Sequence, residues 1–334
     1  SANIVGAETK KIDLQTAVDM ALEHNLELKE EKINLEKSKL QYDKQKANNL
    51  MTNSEYNKIE AEYNLKSAKN AYEKTYDSII KNVVKQYSNL YLAEYNIQIQ
   101  NKRLKLEKML LDESKASFEI GEIGNVDLLE QKNNYEDARY NLKTSQDNYE
   151  QSFREFKTLL GVDDIELELS GLNNTDIWEI SEKEVIDTSH ENSVNLKLKE
   201  MNLELAKLDK KRSQISSSEI DKKIKNMTVE AAEIAKKRSE RDLKNTSSLV
   251  YHDYQHAVEK IEIKKKSWDK AKEDYKLKNE QYKKGLLTKS ELLNFEINKM
   301  QAEYDFLSAI ANYYDKKIAL KQHMNVELEV IDHD

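Results

Sequence analysis

Phe118-Glu119-Ile120-Gly121, followed by Val126-Asp127-Leu128-Leu129, reads as the end of one helix, a glycine turn and the start of the next. Tyr282-Lys283-Lys284-Gly285, followed by Ser290-Glu291-Leu292-Leu293, repeats the pattern later in the chain. Glycine closes a helix at low cost because it accepts the left-handed conformation that other residues resist. Two such stretches at matching positions predict a tandem duplication, and the rest of the chain can be aligned outward from them.

At the same offset Asn134 meets Asn298, Ala138 meets Ala302, Tyr140 meets Tyr304, Tyr149 meets Tyr313 and Val162 meets Val326. Gly161 falls on Asn325, and these are the two residue types that best tolerate a left-handed helix end. Upstream, Ile33-Asn34-Leu35-Glu36 falls on Met201-Asn202-Leu203-Glu204. Asp13 then falls on Ser181, both good N-caps, and Ser181 with Glu184 reads as a capping box. The expected organisation is a first repeat over 1–170 and a second over 171–334, together one elongated domain.

Each repeat reads as four helices. A short helix is expected at about 14–24 or 182–191, and a medium one at about 26–47 or 194–214. Then comes a very long helix at about 55–118 or 219–282, and after the glycine a further one at about 125–160 or 289–324. At 1.5 Å per residue the long helices would each extend roughly 95 Å. Their pattern is that of a supercoil. Tyr76, Val83, Leu90, Ile97, Leu104, Leu111 and Phe118 fall on every seventh residue, as do Tyr254, Ile261, Trp268, Tyr275 and Tyr282. The following helix carries Leu128, Tyr135, Leu142, Tyr149 and Phe156 at the same spacing. The short glycine turns predict that each long helix pairs antiparallel with its successor. The aromatic stripe is expected to be core. The fold class is thus all-α, with minor strands where apolar and acidic residues alternate, near 165–169 and 326–330.

Composition agrees. The chain of 334 residues has no proline and six glycines, so little interrupts a helix. Charged residues make up 35% and the mean hydropathy is −0.87, values that with this periodicity indicate coiled coils rather than disorder. The net charge is −8 with both signs interspersed, which argues against a nucleic-acid surface. No apolar run reaches the roughly 18 residues of a membrane helix. The chain opens Ser1-Ala2-Asn3 without Met, which fits a mature form after signal cleavage or a shortened chain.

Enzymatic signatures are missing. There is no cysteine, no glycine-rich phosphate loop and no Gly-x-Ser-x-Gly turn. One pair invites a metal: His252 and His256, four apart on a helix, in His252-Asp253-Tyr254-Gln255-His256. Without an obvious third ligand or a pocket, two exposed histidines on a polar face are the favoured reading. No metal, cofactor or catalytic residue is expected.

The duplicated motifs resemble those of the TolC-like outer-membrane efflux family. Leu14-Gln15-Thr16-Ala17-Val18 through Ala21-Leu22, then Asn25, is similar to the short helix that opens each repeat there. The aromatic, glycine and acid-Leu-Leu groups quoted above match its hairpin turns, and Leu159-Leu160-Gly161 its helix end. The resemblance covers nearly the whole chain. It implies a homotrimer forming an α-helical tube in the extracytoplasmic envelope, working with a periplasmic adaptor (membrane-fusion) protein and an inner-membrane transporter. By position, the adaptor-docking tips would be Ile120, Gly121, Glu122 and Gly285, Leu286, Leu287. Asp127 and Glu291 would be constriction acids, although both positions also suit carboxylates that simply cap a helix N-terminus.

The chain departs from the family where membrane strands are inserted. The gaps at about 48–54 and 215–227 cannot hold strand pairs of about ten residues per strand. A natural relative without the barrel and a deletion variant both fit, and residue usage leans to the former. Two functional readings stand: an export conduit, or a scaffolding coiled coil of the envelope without a lumen. A metal-dependent hydrolase on His252 and His256 is a distant third.

Overall fold

The computed structural model describes residues 9–162, 166–172, 177–216 and 218–328. Its elements run β1 (Thr9–Ile12), α1 (Leu14–His24), α2 (Leu26–Thr52), α3 (Glu55–Glu119), α4 (Asn125–Leu160), β2 (Glu166–Leu169), α5 (Glu182–Asn192), α6 (Val194–Ser216), α7 (Glu219–Lys283) and α8 (Lys289–Met324). The helix lengths recur: 11, 27, 65 and 36 residues, then 11, 23, 65 and 36. Both medium helices run further than the sequence reading set them, since nothing in Asn48–Thr52 or in Ile215 breaks a helix.

Caps explain the boundaries. Asp13 Oδ1 accepts the Thr16 N–H at 2.8 Å, and Asn25 Oδ1 accepts that of Leu28 at 2.8 Å. In the second repeat Ser181 Oγ accepts from Glu184 N and Ser193 Oγ from Leu196 N. Each side chain satisfies one of the donors a helix start leaves unpaired. Gly161 and Asn325 close α4 and α8 with φ of 70° and 51°, as their alignment predicts.

The chain divides into two compact units. One comprises 1–18, 83–175 and 255–315; the other comprises 19–82, 176–254 and 316–334. Both draw on both halves of the sequence, as expected when helices from each half pack side by side.

In the first unit α3 and α4 pair antiparallel, with Gln131 Nε2 on Glu107 Oε2 (2.7 Å) and Asn96 on Ser145 (3.4 Å). Helices α7 and α8 do the same, with Trp268 stacked on Phe306 and Lys264 bonded to Asp305. Helix α8 also packs on α3 through Ile99, Leu293 and Ile297, flanked by Tyr95, Leu106 and Met109. Val83, Leu90, Leu111, Leu128, Leu142 and Phe156 of the sevenfold stripes are buried, whereas Phe118 and Tyr282 near the turns are 40% and 37% exposed.

Strands β1 and β2 pair in parallel, Ile12 opposite Leu169. Leu167 and Leu169 face in and Glu168 faces out, the alternation read from sequence. Tyr87 of α3, fully buried, fixes this ribbon. Its hydroxyl lies 3.2 Å from the Ile12 carbonyl and accepts the Ser170 N–H at 3.1 Å. Burial pushes the phenol up to about 12.

The expected strand near 326–330 is a correction. Val326–Leu328 leave α8 without joining a sheet, and 329–330 lie outside the described residues. The Val326 N–H is held by the Lys321 carbonyl in the turn that closes α8, so it is committed to the helix end.

The second unit packs α6 antiparallel on α7 through Lys225–Asp209 (2.6 Å) and Lys236–Glu200 (3.1 Å). Ile79, Ile80, Val185, Leu196, Ile318 and Leu320 are buried in this unit, as is Tyr254, whose hydroxyl donates to the Trp178 carbonyl at 2.7 Å.

Candidate functional site

The two glycine turns both lie in the first unit and are built alike. Helix α3 ends with the Gly121 N–H on the Phe118 carbonyl (3.1 Å) and the Glu122 N–H on the Ser117 carbonyl (2.8 Å). Helix α7 ends with Gly285 N–H on Tyr282 (2.9 Å) and Leu286 N–H on Gln281 (3.0 Å). This is the double hydrogen bond of a Schellman motif, with glycine in the left-handed position at φ 80° and 74°. The glycines are therefore explained locally, whatever else the turns do.

What the turns present is apolar. Ile120 is 72% exposed and Leu286 70%, and just beyond the first turn Val126 is 76% exposed. Glu122 is exposed and Leu287 half-buried. Helix packing within the first unit brings the turns into one neighbourhood. Ser290, at the start of α8, donates to Glu113 of α3 at 3.0 Å.

The two acids occupy cap positions. Asp127 Oδ2 accepts the Gly124 N–H at 3.0 Å. Glu291 Oε2 accepts both the N–H (2.8 Å) and the hydroxyl (2.9 Å) of Thr288, while Thr288 Oγ1 accepts the Glu291 N–H at 3.2 Å, a complete capping box. Those Thr288 donors hold the Glu291 carboxyl below the usual carboxylate range. Both side chains sit at exposed positions.

The histidine pair has other surroundings. His252 lies 3.7 Å from Glu182, and His256 is exposed one helical turn on. Among the described residues no group of three or more His, Asp or Glu converges on a metal position. Sequence reading did not single out a third histidine, His323 of α8, whose Nε2 is 2.8 Å from Ser247 Oγ. Ser247 is fully buried and also donates to the Leu243 carbonyl, so the pair is a packed hydrogen bond rather than a nucleophile open to substrate. Burial holds the His323 imidazole below its ordinary value. A cavity of about 580 Å³ in the second unit is lined mainly by polar side chains, among them Asn70, Lys74, Lys199, Arg238, Asp242 and His323.

Residues 52–162 match the family model described as outer membrane efflux protein. No curated protein matches the chain by sequence. Among solved structures, the VceC outer membrane protein of Vibrio cholerae is similar with TM-score 0.66 and 11% identity, over 95% of this chain and 97% of that one. The CmeC outer membrane channel of Campylobacter jejuni gives TM-score 0.65 and 15% identity over 96% and 87%. The MtrE channel of Neisseria gonorrhoeae, in its open state, gives 0.62 and 16% over 96% and 91%. At such identities the likeness is one of fold. Residues 52–162 thus resemble the outer membrane efflux protein family, and the chain as a whole carries the helical fold seen in these outer membrane channel structures.

Proposed function

We propose that this protein is the protomer of a non-enzymatic helical conduit in an extracytoplasmic export assembly, a trimer whose two glycine tips dock an adaptor protein that links it to an inner-membrane transporter. The observation that carries the reading is a channel fold whose seven-residue apolar seams are left uncovered. Leu26, Ile33 and Leu40 of α2 are 79%, 56% and 70% exposed. Ile220, Met227 and Ile234 of α7 are 72%, 68% and 52% exposed. A strict sevenfold stripe on a helix has its natural partner in a stripe on another helix. In a monomer these two have none, and closure into a ring of copies would cover them.

The tips support the docking half of the proposal. Ile120 and Leu286 stand exposed on turns held rigid by paired backbone hydrogen bonds, with Gly121, Glu122, Gly285 and Leu287 around them. Asp127 and Glu291 lie six residues beyond each glycine and are proposed to ring the lumen there. Their capping bonds use one carboxylate oxygen each and leave the charge exposed. The tandem organisation, 1–170 and 171–334, belongs to the same proposal, since the recurring helix lengths and caps are what a duplicated protomer supplies.

Light scattering on purified protein tests the assembly. The expected mass is three times the 39.0 kDa chain, and Ile33→Asp with Met227→Asp should return it to one chain with helicity unchanged. A protein that stays monomeric at high concentration, or seam variants that leave the mass unaltered, would refute the ring.

A further inference from the structure

Two helix junctions in the second unit stand where the sequence has no room for membrane strands. Asn53–Ser54 joins α2 to α3, and α6 ends at Ser216 shortly before α7 starts at Glu219. They are neighbours: the Arg212 guanidinium, near the end of α6, lies 5.2 Å from the Tyr56 ring at the start of α3. Three large apolar side chains flank them with nothing over them: Met51 is 92% exposed, Ile215 89% and Leu50 83%. These are the most exposed large apolar residues among those described. The first turn is rigid. Asn49 receives the Ser54 N–H (2.8 Å) and the Thr52 hydroxyl (2.8 Å) and donates to the Ser54 carbonyl (2.9 Å), while Asn53 takes the left-handed conformation. Leu50 and Met51 are thus held out by a braced helix end.

The charge around them runs against the rest of the chain. Lys210–Lys225 carries six basic residues against two acidic, in a protein of net charge −8. Glu219 is bound to Lys222 and Asp209 to Lys225, so the excess positive charge rests on Lys210, Lys211, Arg212 and Lys223 against Asp221, which accepts the Ser218 hydroxyl. Lys211 and Lys223 are exposed, as are Lys44 and Lys46 on α2 before the first turn. Apolar side chains rimmed by lysine are the composition of an interfacial lipid anchor. The apolar groups enter the headgroup boundary and the ammonium groups meet anionic phosphates.

We infer that this end of the second unit docks peripherally on an anionic phospholipid surface, without crossing it, through Leu50, Met51 and Ile215 with Lys210, Lys211 and Lys223. No helix among the described residues is long and apolar enough to span a bilayer, which fits contact by the turns alone. The inference uses only these two turns and stands whether or not the protein forms a ring.

Co-sedimentation of the full chain with vesicles tests it. Binding is expected to equimolar phosphatidylglycerol and phosphatidylcholine, to fall about tenfold or more on phosphatidylcholine alone, and to weaken in high salt. Met51→Asp with Ile215→Asp should abolish it. Lys210→Gln with Lys211→Gln should weaken it about thirtyfold, at about 1 kcal/mol per lysine near the surface. Ile263→Asp, an exposed apolar position in the other unit, should bind as wild type, and circular dichroism checks that each variant folds. Equal binding to neutral vesicles, or no binding, overturns the inference. So does retention on a soluble anionic polymer without vesicle binding, or end-to-end self-association that Met51→Asp removes while vesicles are ignored.

Discussion

Replacing Gly121 by alanine separates what the turn costs from what it does. The residue sits at φ 80°, where a side chain costs about 1–2 kcal/mol through the clash of Cβ with its own backbone. A Cβ there would meet no other atom within 4 Å, so no packing clash adds to this. Alanine also narrows the unfolded ensemble, which returns about 0.4–1 kcal/mol. The net loss is therefore about 1 kcal/mol, confined to the turn. It should not move the global transition, because helix ends open locally before the core does. Amide hydrogen exchange over Ser117–Glu122 reads it directly, since the Gly121 and Glu122 N–H groups make the two closing bonds. Exchange of both should quicken about fivefold in Gly121→Ala. Gly121→Asn should fall between, because asparagine already holds this conformation at Asn53 and Asn325. Alanine exchanging like glycine, or asparagine as fast as alanine, would refute the left-handed turn as the reason for the glycine.

Other outcomes follow from the packing. Tyr87→Phe removes the hydroxyl between α3 and the ribbon, but Ser170 N keeps its bond to the Ile12 carbonyl at 2.9 Å, so denaturation should report about 1 kcal/mol rather than the larger cost of an orphaned buried group. Asp77 is raised to about 6 by burial and by the Glu73 charge. Its folded value lies above its unfolded one, so its contribution is full below about 3.8 and is lost as pH rises through about 6; Asp77→Asn should raise the melting temperature at pH 7.5 and leave it unchanged at pH 3.5. His323 has the opposite sign. Its folded value is depressed by burial, so its contribution is present above about 6.5 and lost as pH falls, and His323→Gln should flatten that acid limb in a pH series of melting curves. Asp127→Asn and Glu291→Gln keep an acceptor for the cap, so stability should shift by less than about 1 kcal/mol, while binding of divalent cations by the assembled protein, read by titration calorimetry, should drop if the acids ring a lumen.

Local chemistry made most of this fold legible from sequence. Helix starts lay on Asp13 and Ser181, and helix ends on Gly121, Gly161, Gly285 and Asn325, because each residue satisfies an end within its own turn, while the caps Asn25 and Ser193 emerged only with the structure. The parallel ribbon was only half legible. Leu167-Glu168-Leu169 alternates, but Thr9–Ile12 has no signal of its own and becomes a strand only through a partner far along the chain and a tyrosine hydroxyl from α3. The same dependence on a partner misled the reading at Val326-Glu327-Leu328, which alternates equally well but has its first N–H committed to α8. At the tips, sequence located the glycines and acids, and the structure explains their local bonds. The basic, apolar turns went unnoticed because Met51 and Ile215 look like any apolar helix residue until their exposure is known.

The central claim is that copies of this chain close around a lumen, and single-particle electron microscopy of the purified protein tests it most directly. The account predicts threefold particles with a central channel, walled by helices that bury Leu26, Ile33, Leu40, Ile220, Met227 and Ile234 between copies. Single chains, or dimers with filled coiled-coil cores and no channel, would contradict it.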